Sequence, residues 1–200
     1  MGINLQKGQR VDLTKGNEGL STILVGLGWD PVKKDVGFFG NLMGKGQVDV
    51  DCDASVLMLD EYGKVPNKEN LIYFGNLNSV CGSIKHTGDN LTGEGDGDDE
   101  QIIVDLTKIP KNIQKLVFVV NIYDCIRRKQ DFGLIQNAFI RVLKKSSNQE
   151  LVKFNLSSEY AGKTTLLAAE IYRHGKEWKF AAVGEGTLDA SLGEIVKKYQ

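Results

Sequence analysis

The sequence predicts a mainly β fold, a two-sheet antiparallel β-sandwich with a C-terminal helix and one or two further short helices. Three observations lead there. Val- and Ile-rich runs of strand length recur along the chain, and Gly, Asn and Asp clusters separate them. Helical periodicity is confined to the C-terminus. The runs number about eight to ten, more than one flat sheet of a small domain holds, so two packed sheets are the natural solution.

The elements follow in order. Thr22–Gly28 is a short apolar run. Val48–Leu59 opens in strict alternation, Val48, Val50 and Cys52 against Asp49, Asp51 and Asp53, and then turns wholly apolar at Val56–Leu59. Leu71–Phe74 is brief and aromatic, and Gln101–Leu106 and Lys115–Tyr123 are rich in Val and Ile. Ala138–Leu143 and Leu151–Leu156 come next. Leu166–Tyr172 and Glu177–Val183 flank His174-Gly175-Lys176, a hairpin turn. The C-terminal helix is expected over Asp189–Tyr199. Ser191 and Glu194 have capping-box spacing, and Leu192, Ile195, Val196 and Tyr199 form one apolar stripe. A further short helix is expected in Lys111–Lys115 or Asp131–Gln136. No linker divides the chain, so residues 1–200 read as a single domain.

The hydrophobic fraction of 41% supports a real core, and a net charge of −1 does not suit a dedicated nucleic-acid binder, so no nucleic-acid partner is expected. No run approaches the length of a membrane span, and the start lacks the pattern of a signal peptide. Cys52, Cys81 and Cys125 are far apart and show no zinc spacing; they read as reduced thiols of a cytoplasmic protein.

The charge is unevenly placed. Asp89–Glu100 holds six acids and no base, a local −6, so the rest of the chain carries about +5. At roughly 5 Å each like-charged pair costs about 1 kcal/mol, less when screened. A compact loop of this charge needs a counter-ion. The donors on offer are carboxylates, Asn90, the Thr92 hydroxyl and exposed carbonyls, all hard oxygens that select calcium or magnesium. Gly88, Gly93, Gly95 and Gly97 let the backbone curl and aim carbonyls inward, and flexible coordination favours Ca²⁺. The segment is not an EF-hand, because Leu91 and Glu94 occupy the third and sixth positions of the twelve. The alternative is a solvated acidic turn. Asp49, Asp51 and Asp53 would stack on one strand face, where carboxylates are costly without cations or solvent, and Asp30 and Asp60 are further candidates.

Gly88–Glu100 resembles the signature loop of the TerD family, the tellurium-resistance and general-stress proteins of bacteria. Gly26-Leu27-Gly28-Trp29-Asp30, Asp51-Cys52-Asp53-Ala54-Ser55 and Glu170-Ile171-Tyr172-Arg173-His174 resemble its other motifs. The resemblance implies a C2-like sandwich that binds two Ca²⁺ ions. It implies Asp51 and Asp53 as ligands from a strand end, and Asp89, Asn90, Thr92, Gly93, Asp98, Asp99 and Glu100 as ligands from the loop, with Asp30 as a further candidate. Cys52, between two ligands, would point into the core. The function implied is that of a Ca²⁺-dependent binding or scaffold module with partners in a stress or anti-phage complex, cytoplasmic or peripheral to the inner-membrane surface, and not an enzyme. The alternative is a Ca²⁺-dependent hydrolase using His86 as base, or a nucleotide-binding protein of the cyclic-nucleotide kind.

Two features are decoys. Ala161-Gly162-Lys163-Thr164-Thr165 lacks the first glycine of a P-loop, since that position is Ser157. Arg127-Arg128-Lys129 reads as a solvated turn or as a patch for acidic lipid or a partner.

Overall fold

The computed structural model describes residues 2–32, 50–88, 97–156 and 159–200. Twelve strands form two six-stranded sheets among these residues. They are β1 (Ile3–Leu5), β2 (Arg10–Asp12), β3 (Thr22–Pro31), β4 (Cys52–Leu59), β5 (Leu71–Ile72), β6 (Ile84–His86), β7 (Glu100–Asp105), β8 (Lys115–Ile122), β9 (Ile135–Lys144), β10 (Gln149–Asn155), β11 (Thr165–His174) and β12 (Glu177–Thr187). Sheet I has the order β1-β10-β9-β3-β7-β6 and sheet II the order β2-β12-β11-β8-β4-β5. Every pairing is antiparallel except β1 on β10, which is parallel.

Alternation decides which residues meet between the sheets. On β3, Ile23, Val25, Leu27 and Trp29 enter the main core; on β4, Cys52, Ala54, Val56 and Met58 do so. Phe118 and Phe180 are the largest side chains wholly enclosed. Leu57 and Leu59 face the other way, as do Val117 and Val119 of β8. This outer face of sheet II is covered by the C-terminal helix through Ile195. Helix α2 spans Leu192–Lys197, and Ser191 caps it by accepting from the Glu194 N–H.

The expected strands are present with altered ends: β3, β9, β11 and β12 run longer, whereas β4, β5 and β8 are shorter than expected, and the His174–Glu177 hairpin turns through Gly175 at φ +65°. The short helices differ from expectation. Lys111–Lys115 is a turn that leads into β8. Within Asp131–Gln136 there is only a 3₁₀ turn, Phe132–Leu134, capped by Asp131. The second α-helix is α1, Cys125–Arg128, which lies in the segment read as a basic loop. Its flanking residues Asp124 and Lys129 are both left-handed, and Asp124 at the N-cap position makes no side-chain capping bond. Tyr160–Lys163 forms a turn before β11, which accounts for the P-loop decoy. No helix among the described residues is long and apolar enough to cross a membrane.

Candidate metal centre

The acidic loop leaves β6 at Gly88 and re-enters at β7 with Glu100. Asp89, Asn90, Thr92 and Gly93 lie outside the described residues, as do Asp49, Glu94 and Asp96. Asp30, Asp51, Asp53, Asp98, Asp99 and Glu100 lie within them.

Glu100 begins β7 and faces inward with Ile102 and Val104. Strand β5 pairs with β4 only at Val56 and Leu57, so the backbone of Ala54 is left at an uncovered stretch of the β4 edge. Glu100 and His86 of sheet I fill it. The Ala54 N–H donates to Glu100 Oε2 at 2.6 Å, and His86 Nε2 lies 3.2 Å from the Ala54 carbonyl and 3.4 Å from Glu100 Oε2. The Gly88 N–H donates to His86 Nδ1 at 3.1 Å, so the ring proton sits on Nε2. Glu100 and His86 are 2% and 1% exposed, and they tie the two sheets together at the end where the loop departs.

Asp51 and Asp53 flank this junction. Asp53 sits opposite Asn121 of β8 and accepts from its side-chain amide at 3.4 Å. The Asp51 carbonyl accepts from the Tyr123 N–H, and its carboxylate meets Arg128 of α1 at 3.4 Å. Cys52 points into the core between them, fully buried. Burial pushes its thiol well above the usual range, and Asp53, Glu100, Asp51 and Asp99 push it further. The thiol therefore stays neutral, and four acids stand close enough to act on it.

Asp98 takes a different position. It lies over Gly26 on the outer face of sheet I, where a Cβ would collide with its carboxylate. Arg141, the register partner of Gly26, donates to it at 2.7 Å, and Gln101 does so at 3.2 Å. Asp30 accepts from Asn137 at 2.8 Å. Asp99 links the two groups. Its N–H donates to the Leu27 carbonyl, and its carboxylate accepts from the Trp29 N–H at 2.7 Å. Burial raises the Asp99 carboxyl, the Trp29 N–H opposes the rise, and the charges of Asp30 and Asp98 add to it.

Residues 97–99 reach sheet I because Gly28 lets the backbone come close. A Cβ there would stand 2.5 Å from the Phe139 ring and 2.6 Å from the Gly97 carbonyl. Gly28→Ala is expected to cost about 1–3 kcal/mol through overpacking. Urea unfolding measures this, and a loss below about 0.5 kcal/mol would show that the strap is not seated on β3.

The described residues thus bring Asp51, Asp53, Asp99 and Glu100 together around Cys52 and hold Asp98 on Arg141. Among the described residues no three His, Cys, Asp or Glu side chains close on one point as a metal cage. The donor chemistry fits a hard divalent cation, being carboxylate oxygen throughout, with the local thiol neutral and turned away. Sequence reasoning missed Arg141, Arg128 and the bridging role of His86. The partners of Arg141 and His86 are set by strand pairing and that of Arg128 by the placement of α1, for which the sequence offers no signal.

The sequence pattern of the TerD domain matches residues 1–199. The stress response protein SCP2 of Bacillus subtilis (strain 168) is 66% identical over all of both chains. The tellurium resistance protein TerD of Serratia marcescens is 42% identical over all of this chain and 97% of its own. Among solved structures, a homologue of telluride resistance protein (TerD) from Streptomyces coelicolor A3(2) matches with a TM-score of 0.66 at 20% identity. That match covers 89% of this chain and 96% of that one, and bears on the fold alone.

Proposed function

The chain belongs to the TerD family of stress and tellurium-resistance proteins, and we propose from that premise that it is a calcium-binding module working by binding or scaffolding rather than by catalysis. The carrying observation is the convergence of Asp51, Asp53, Asp99 and Glu100 on one end of the sandwich, where the acidic loop begins and ends. With Asp89, Asn90, Thr92 and the Gly93 carbonyl from the loop, these residues would hold two Ca²⁺ ions. Asp98 and Asp30 stand beside them on the sheet I side. Bound calcium supplies positive charge that offsets the crowded carboxylates. The chain's own part is to hold the acids apart in space: Glu100 is pinned by Ala54 and His86, Asp99 by Trp29, Asp98 by Arg141.

One feature favours binding over the hydrolase alternative. Both ring nitrogens of His86 are engaged and the side chain is enclosed, which does not suit a general base. The exposed Ile126 on α1 and the neighbouring Arg127 offer a surface for a protein partner in a stress complex or for the inner-membrane face, in keeping with a cytoplasmic site of action.

Trp29 reports on the site, because its backbone N–H donates to the Asp99 carboxylate while its ring is buried in the main core. Calcium added to chelator-treated protein is expected to change the tryptophan fluorescence. Asp51→Asn with Asp53→Asn is expected to weaken the half-saturation point at least tenfold. An unchanged titration in that double variant would remove these residues from the site.

A further inference from the structure

The outer face of sheet II carries a second concavity, of about 530 Å³, which borders the proposed calcium site at Asp53 and lies within the size range of small-molecule pockets. Its floor comes from β4 and β8. Asp53 and Asn121 are register partners, and Ser55 follows on the same face of β4. Ser55 is wholly enclosed and Asn121 is 6% exposed. The Asn121 amide nitrogen donates to Asp53, whereas Asn121 Oδ1 and Ser55 Oγ have no hydrogen-bond partner among the described residues. Folded proteins pair the great majority of such buried atoms, so two of them lining one cavity point to something that binds there.

The walls say what kind of group it is. Tyr73 and Phe74 stand on one side with rings edge to face, centroids 5.3 Å apart, and Tyr123 lines the cavity as well. Phe74 and Tyr123 are about half exposed, so their faces are open to a ligand. Asn121 Oδ1 and the Asp53 carboxylate only accept, and Ser55 can do either. No Lys, Arg or His is among the described residues that line it. An acceptor-rich floor under aromatic walls calls for a ligand that brings N–H donors and positive charge. The molecule already uses this chemistry nearby, where Arg128 lies over the Tyr123 ring at 5.4 Å. Asp53 on the floor and Asp124 in the lining disfavour an anion.

We propose that this cavity binds an organic cation whose ammonium or guanidinium head donates to Asn121 Oδ1 and Ser55 Oγ beside Asp53, with its stem against Tyr73, Phe74 and Tyr123. The cation can come from a free amine or from a lysine or arginine side chain on a partner. The proposal does not rest on calcium binding.

The test uses the full chain, once saturated with Ca²⁺ and once in chelator, so that a failure of the calcium reading stays separate. Agmatine and cadaverine represent free amines, blocked arginine and lysine amides represent side chains, and glucose and succinate are controls. Backbone amide shifts of Ser55, Tyr73 and Asn121 are followed by NMR. At least one cation is expected to shift all three with saturable binding. Ser55→Ala with Asn121→Leu is expected to weaken it at least tenfold. Phe74→Ala, a substitution of a half-exposed side chain that leaves the floor intact, should weaken it severalfold. Tighter binding of the blocked amino acids than of the free amines would assign the site to a protein side chain, and the reverse to a free amine. No saturable shift with any cation, equal binding of glucose, or wild-type affinity in both variants would leave the cavity a site for water only and overturn the proposal.

Discussion

Replacing Glu100 with alanine is expected to lower the stability of the chelator-treated protein by about 3 kcal/mol. The reason is separate from calcium. Glu100 accepts from the Ala54 N–H at 2.6 Å in a fully enclosed junction, and it faces His86. Removing the carboxylate strands the buried Ala54 N–H, at about 1–3 kcal/mol, and leaves a void beside His86, whose Nε2–H keeps the Ala54 carbonyl. Glu100→Gln keeps an acceptor of similar shape, so its loss should be smaller. Urea unfolding in chelator measures both. Equal and small losses for the two variants would mean that the acid is only a metal ligand and does not hold the sheets together. A large loss for Glu100→Ala that disappears in chelator would mean the same.

The second large effect is on thermal stability. A ligand that binds only the folded state at a thousand times its dissociation constant adds about 4 kcal/mol per site. For a domain of this size each kcal/mol moves the melting temperature by roughly 2–4 °C. Saturating calcium is therefore expected to raise the melting temperature of the stripped protein by roughly 10 °C or more, and Asp51→Asn with Asp53→Asn should abolish most of that rise. Magnesium, which demands a stricter octahedron and sheds water reluctantly, should give little. A rise of the same size with both metals would indicate diffuse charge neutralisation of the loop rather than a built site.

The strands that matter most were legible from composition and alternation alone. The run from Cys52 to Leu59 and the Val-rich β8 are the two central strands at the site, and the inward turn of Cys52 follows from alternation. What could not be read has physical reasons. Strands β1, β2 and β6 are three residues long and lie at sheet edges, so they exist by pairing with a neighbour and not by local propensity. Helix α1 is a single turn between two left-handed residues, and its sequence looks like a basic loop. The crowding of acids was plain in the sequence, but their division was not. Asp98 and Asp99 are adjacent, yet one is held by Arg141 over Gly26 and the other by the Trp29 backbone. That split depends on the register of β3 against β9, which no local pattern encodes. The partly unpaired floor of the sheet II cavity was invisible for the same reason, since Ser55 and Asn121 meet only through the β4–β8 pairing.

Calorimetric titration of chelator-stripped protein with Ca²⁺, with Mg²⁺ as the control, bears most directly on the central claim. Two sites of micromolar or tighter affinity, with Mg²⁺ weak, are the predicted result. An absence of heat together with an unchanged melting temperature would contradict it and leave Asp89–Glu100 a solvated acidic turn on a TerD fold.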